Sequence, residues 1–186
     1  SILSGSDFSL ANLENANFKN AVIDGIKLRQ TTLDRTDFSN VDFSQVNLMN
    51  VDLTNTILKN SNLSYQNLKK TFLYKSDLSG ADLIKADLSN VYLGDTVLKD
   101  ANFTGAVLYE TDLSLALNND LSGTILVNAV ITHSNLVGVD FSGKNLSVTN
   151  FYQSDLTGQD FRNVQSIEGS GFVEAELSYA NFEGVT

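Results

Sequence analysis

Ala81-Asp82-Leu83-Ile84-Lys85 and Ala86-Asp87-Leu88-Ser89-Asn90 are one unit written twice: a small residue, an acid, a leucine and two variable positions. The period is five, and it extends in both directions from this stretch. From Leu3 a Leu, Phe or Ile stands at every fifth position without a gap through Leu113. The phase then slips by three, resumes at Leu121 and runs to Phe161, and after a further slip of one it returns as Phe172, Leu177 and Phe182. These make 35 centres, and ten of the 11 phenylalanines occupy them. A helix needs apolar spacing near 3.6 and a flat strand needs 2. A spacing of five satisfies neither, so the chain has to turn once per repeat.

Two further preferences accompany the centres. Two residues before them stands something small, as at Ala11, Ala16, Ala21, Thr31, Val41, Ala81 and Ala101, and the residue just before them is Asp or Asn in 22 of the 35 repeats. Together with the centres these positions make the consensus small, Asp or Asn, Leu or Phe, then two outward positions, again clear in Ala101-Asn102-Phe103-Thr104-Gly105.

Composition narrows the function. The chain has 186 residues, 42% of them apolar and 18% charged, which is enough to bury a core and excludes disorder. It has no cysteine and one histidine, which closes off disulfides, thiolate metal sites and cysteine nucleophiles. With 22 acidic against 12 basic residues the net charge is −10, unfavourable for nucleic acid and for anionic membranes. No apolar run approaches the roughly 20 residues of a membrane-spanning helix, and no signal-peptide pattern is present, so a cytoplasmic location is the default expectation.

These repeats resemble the pentapeptide-repeat family over essentially the whole chain. The resemblance implies an all-β fold, a right-handed quadrilateral parallel β-helix with four pentapeptides per turn. In it the centre and the small residue point inward and the other three outward. At 20 residues per coil and about 4.8 Å between coils, the chain amounts to roughly nine coils and a rod about 40–45 Å long. One domain over residues 1–186 is expected, with bulges near 114–120 and 162–171 where the phase slips. Leu115 and Leu117, in the first bulge, are expected to pack back onto the rod. All 35 centres are expected to be buried. Gln66, Asn119, Lys144 and Gln159 replace the usual small residue at inward positions. A buried lysine needs a partner or an exit, so Lys144 should snorkel out or meet a carboxylate.

Chemistry is sparse. His133 is the one general-base candidate near neutrality, and the coil count stacks it over Glu110, where a surface ion pair is expected. A nucleophile, an oxyanion hole and a cleft are missing from this pattern, so no catalytic residue is assigned. The aspartates recur five or more residues apart as rungs of ladders, with no calcium loop, and no glycine-rich phosphate loop occurs, so no metal or cofactor is assigned.

Sorting residues onto faces gives one surface argument. The face of Asn12, Thr32, Asp52, Phe72, Tyr92, Asp112, Asn135, Asp155 and Glu176 carries Phe72 and Tyr92 one coil apart with Tyr74 beside them. Exposed aromatics rimmed by polar residues mark protein-binding surface, although aromatic ladders also stabilise stacked strands, so Phe72, Tyr74 and Tyr92 are the candidate protein-binding residues. The expected function is a non-enzymatic protein-interaction or scaffold module. Two alternatives come from the resemblance: a DNA-mimicking binder of gyrase of the quinolone-resistance type, and the substrate-recruiting β-helix of a bacterial effector such as a HECT-like ubiquitin ligase. The mimic has the net charge in its favour. Against it, the face bearing Asp37, Asp77, Asp120, Asp140 and Asp160 also bears Lys19, Lys59, Lys99 and Arg162. The chain begins and ends in mid-pattern, which suggests a segment of a larger protein and the possibility of end-to-end self-association.

Overall fold

The computed structural model describes residues 1–116, 121 and 123–185. Its architecture follows from the turn in each repeat. The carbonyl of nearly every centre accepts a hydrogen bond from the N–H three residues on, as from Ala86 to Leu83 at 3.0 Å; at Ile131 the Ser134 N–H turns instead to the Ser154 hydroxyl. Two residues after most centres the backbone is left-handed, with φ from +52° to +76°; Gln45, Leu115 and Asn163 depart from this. Asn, which tolerates that conformation, recurs there at Asn15, Asn20, Asn40, Asn55, Asn60 and Asn90.

The Asp or Asn before each centre has a specific task. Its side-chain oxygen accepts from the N–H two residues on, closing the next corner, as Asp82 does from Ile84 at 3.0 Å and Asn102 from Thr104 at 3.1 Å.

Successive coils pair through isolated parallel bridges 20 residues apart, such as Ile2 with Val22 and Asp82 with Asn102. Twenty residues at five per side make a four-sided β-helix. We number the faces by their first centres: Leu3, Phe8, Leu13 and Phe18. The spacing lengthens to 23 between Asn102 and Ile125 and to 21 between Asn145 and Ser166. At the longer spacing Leu113–Leu115 forms a short 3₁₀ turn with Asp112 capping it. At the other, Ile167 follows Ser166 above Leu146 and packs partly buried against the core, a centre that strict counting by five passes over.

Every centre from Phe18 through Leu113 and from Leu121 through Phe161 is buried. Those of the outermost coils are not: Leu3, Phe8, Leu13, Phe172 and Leu177 are half-buried and Phe182 is exposed, because a terminal coil is covered on one side only. Aromatic centres stack along the fourth face, Phe18 on Phe38 at 5.0 Å and Phe161 on Phe182 at 4.5 Å. Buried hydroxyls also have a pattern. Thr36, Thr71 and Thr111 donate to the carbonyls of Leu13, Leu48 and Leu88, one coil below. Gln66 and Gln159 do the same with longer arms, reaching Phe43 and Leu136, which explains why they sit inward at no cost.

Lys144 does not snorkel. It is buried, and its charge adds to the Ser142 hydrogen bonds that hold the Asp140 carboxyl below its ordinary value. Leu115 is 41% exposed rather than packed back on the rod, since the 3₁₀ turn swings it outward. Leu117, Asn119 and Asp120 lie outside the described residues. No helix among the described residues is long and apolar enough to cross a membrane, and none of them form a group of three or more metal-ligating side chains.

Candidate functional site

The third face carries Phe72 and Tyr92 at positions just before centres, so both side chains must point outward; they are 58% and 56% exposed. The bond from the Lys75 N–H to the Gly94 carbonyl, 3.0 Å, sets the two residues in register. Tyr74, one residue after the centre Leu73, reaches across so that its ring centroid lies 5.8 Å from that of Tyr92. Lys75 adds a cation 4.9 Å from the Tyr74 ring, and the hydrogen bond to Tyr74 raises the lysine's pKa.

Gly94 makes this arrangement possible. A Cβ there would lie 2.4 Å from the Tyr92 ring, so Tyr92 folds over bare backbone. The candidate residues are thus together, and Tyr92 is partly occupied in covering its own turn.

The backbone beneath the patch also leaves the bridge ladder. Among the described residues, no parallel bridge joins Tyr92 to Phe72 on one side or to Asp112 on the other, although Asp52 bridges Phe72 one coil earlier. A cleft of about 160 Å³ opens beside it, with Tyr92 as one wall and Glu110 and Asp112 as the other. The site is therefore an aromatic surface with an acidic rim and strand backbone left off the ladder.

A second aromatic group stands at the neighbouring corner. The Glu110 N–H donates to the Thr132 carbonyl, which places His133 above Glu110 as the coil count requires. Yet no ion pair forms between them among the described residues. The His133 ring lies 4.8 Å from Tyr109 and 5.4 Å from Tyr152, while the neighbouring Glu110 carboxylate raises the Tyr109 pKa. Sequence reasoning missed this stack because Tyr109 and Tyr152 belong to a different repeat position from His133 and meet it only through the tilt of the side chains.

Nothing here assembles a nucleophile with a base in a cleft.

Comparison with known proteins agrees with this architecture. The sequence pattern described as pentapeptide repeats matches in eight copies, over residues 1–30, 20–55, 47–83, 56–95, 81–117 and 118–147. The chain belongs to the pentapeptide-repeat family. Among solved structures it is similar to HetL, a pentapeptide repeat protein involved in heterocyst differentiation regulation from the cyanobacterium Nostoc sp. strain PCC 7120. The identity is 21% with a TM-score of 0.53, covering 99% of this chain and 86% of that one. QnrB1, a plasmid-mediated fluoroquinolone resistance protein, matches at 19% identity and a TM-score of 0.39, covering 95% and 89%. Rfr23 from the cyanobacterium Cyanothece 51142 matches at 21% and 0.25, covering 100% and 90%. No curated protein sequence matches the chain. The pentapeptide-repeat β-helix is thus the shared feature.

Proposed function

We propose that this pentapeptide-repeat chain is a non-enzymatic protein-interaction module whose docking face centres on Phe72, Tyr74 and Tyr92. One observation carries the reading: Phe72 and Tyr92 are more than half exposed on neighbouring coils of one face, with the Tyr74 ring against Tyr92, on a protein whose other Phe residues mostly lie in the core. Such a patch costs solubility unless something covers it, and aromatic anchors with a polar rim are what protein interfaces use. Glu110 and Asp112 supply the rim on one side.

The DNA-mimic alternative rests on the length of the rod and its net charge, and the ion pairs work against it. Asp77 pairs with Lys59 at 3.1 Å and Asp160 with Arg162 at 2.6 Å. Lys19 and Lys59 both act on Asp37, and Lys144 acts on Asp140. A column of phosphate-like charges is neutralised as it is built.

The test places a photoreactive residue at position 72 and, as a control, at position 64 on the first face. Cross-links to one partner from position 72 that disappear in Tyr92→Ser support the reading; equal labelling from both positions defeats it. In a parallel assay, inhibition of gyrase supercoiling at micromolar protein that fades with added salt would favour the mimic instead.

A further inference from the structure

Another opening lies between the second and third coils. On the fourth face these coils keep their ladder, with the Phe38 N–H donating to Ile57 at 2.7 Å and the Ile57 N–H donating to Thr36 at 2.9 Å. On the other three faces the ladder parts. Among the described residues no bridge joins Val22 with Asp42, Lys27 with Asn47, or Thr32 with Asp52. The bonds that remain are displaced by one residue: Gly25 donates to Gln45 and Arg35 to Asn55, where the coil before has Gly5 donating to Asp24 and Asn15 to Asp34. The coils are fully laddered on one face and, among the described residues, their backbones are joined on the rest only by these displaced corner bonds.

A cavity of about 460 Å³ occupies this seam on the second face, and another of about 230 Å³ continues it on the third. Leu28 and Val51 form apolar wall in the larger one, with Lys27, Arg29 and Met49 at its mouth. Along its lips the N–H of Leu28, the carbonyl of Ile26 and both backbone groups of Asn47 have no backbone partner among the described residues. These are strand edges, and unpaired edges accept another strand.

Charge selects the occupant. In a chain of net charge −10, Arg29 has no ion-pair partner among the described residues, and Lys27 has only an exposed one, Asp7 at 3.4 Å. Lys70 follows one coil beyond Asn50 on the same corner. The geometry points to a docking groove for an extended acidic peptide: its backbone bonds the open lips, apolar side chains lie against Leu28 and Val51, and alternate carboxylates meet Arg29. Met49, 42% exposed, offers an adaptable apolar contact at the entrance. This groove is independent of the aromatic face and stands or falls without it.

Two measurements test it. Hydrogen exchange on the free protein should show the Leu28 and Asn47 amides exchanging at least tenfold faster than the ladder-bonded Leu63 amide, and becoming protected when peptide is added. Equal protection in the free protein means the seam is closed and overturns the proposal. Fluorescence anisotropy with a labelled peptide of alternating Glu and Leu should show saturable binding, weakened five- to tenfold by Arg29→Glu and unchanged by Lys99→Glu. Equal weakening by both variants, no binding, or preference for a labelled oligothymidine over the peptide each overturns it.

Discussion

The His133 ring lies tilted against Tyr109, ring centroids 4.8 Å apart, while the Glu110 carboxylate beside it acts on the Tyr109 hydroxyl. The histidine is therefore a member of an aromatic column, and the acid acts on the phenol. Glu110→Gln should bring the raised Tyr109 pKa back toward its ordinary value, read in an NMR titration of the tyrosine ring. His133→Ala should cost about 0.5–1 kcal/mol of unfolding free energy, the worth of an exposed aromatic contact. A Tyr109 titration untouched by Glu110→Gln would show that the hydrogen bond is absent in solution.

The repeated Asp or Asn before each centre is a corner clamp, and a single substitution isolates it. Asp82 accepts from the Ile84 N–H at 3.0 Å. Asp82→Asn keeps an acceptor in place and should be nearly neutral, whereas Asp82→Ala should lose about 0.5–1.5 kcal/mol, the net value of one hydrogen bond. Urea midpoints at constant m-value distinguish them. Equal losses for both would mean that charge, not the turn, selects the residue.

Hydrophobic period alone placed the centres from Phe18 to Phe161, because a five-residue repeat of burial allows one register and any slip would expose the whole ladder. The same pattern named Phe72 and Tyr92 as outward aromatics. It showed the Asp and Asn preference without its cause, since the bonded N–H is a backbone group that every residue carries. Gln66 and Gln159 looked anomalous because the carbonyls they satisfy, those of Phe43 and Leu136, lie 23 residues back and become neighbours only when coils stack. The seam between the second and third coils was illegible for the opposite reason. Ile23, Leu28, Phe43 and Leu48 keep perfect spacing there, and a parted backbone ladder leaves no mark on side-chain pattern.

Val148 is a β-branched residue held at φ +59°, with 55% of its surface exposed. That conformation costs an L-residue about 1–2 kcal/mol, and most of all a β-branched one. Asn fills the same corner position in many other repeats, so Val148→Asn should stabilise the protein by about 0.5–1 kcal/mol without the added unfolded-state entropy that Gly would bring. A fall in the denaturation midpoint would mean that contact between Val148 and the neighbouring Gly169 outweighs the backbone strain.

The corner clamps also set the response to acid. The Arg162 side chain, and then its N–H, hold the Asp160 carboxyl down to about 2. Thr157 lowers Asp155 and Ser178 lowers Glu176 by the same kind of bond. In each the folded value lies below the unfolded one, near 3.9 for Asp and 4.3 for Glu. Between those values the unfolded chain binds more protons, so stability rises with pH across that interval, is complete above it, and is lost as pH falls through the folded values. These groups are exposed, so each contribution is small and weakens in salt. The melting temperature should therefore stay level from about pH 7 to about pH 5 and decline toward about pH 2. Asp160→Asn should flatten the most acidic part of that decline. A melting temperature at about pH 2.5 equal to that at about pH 6 would show that the clamps do not distinguish carboxylate from carboxylic acid.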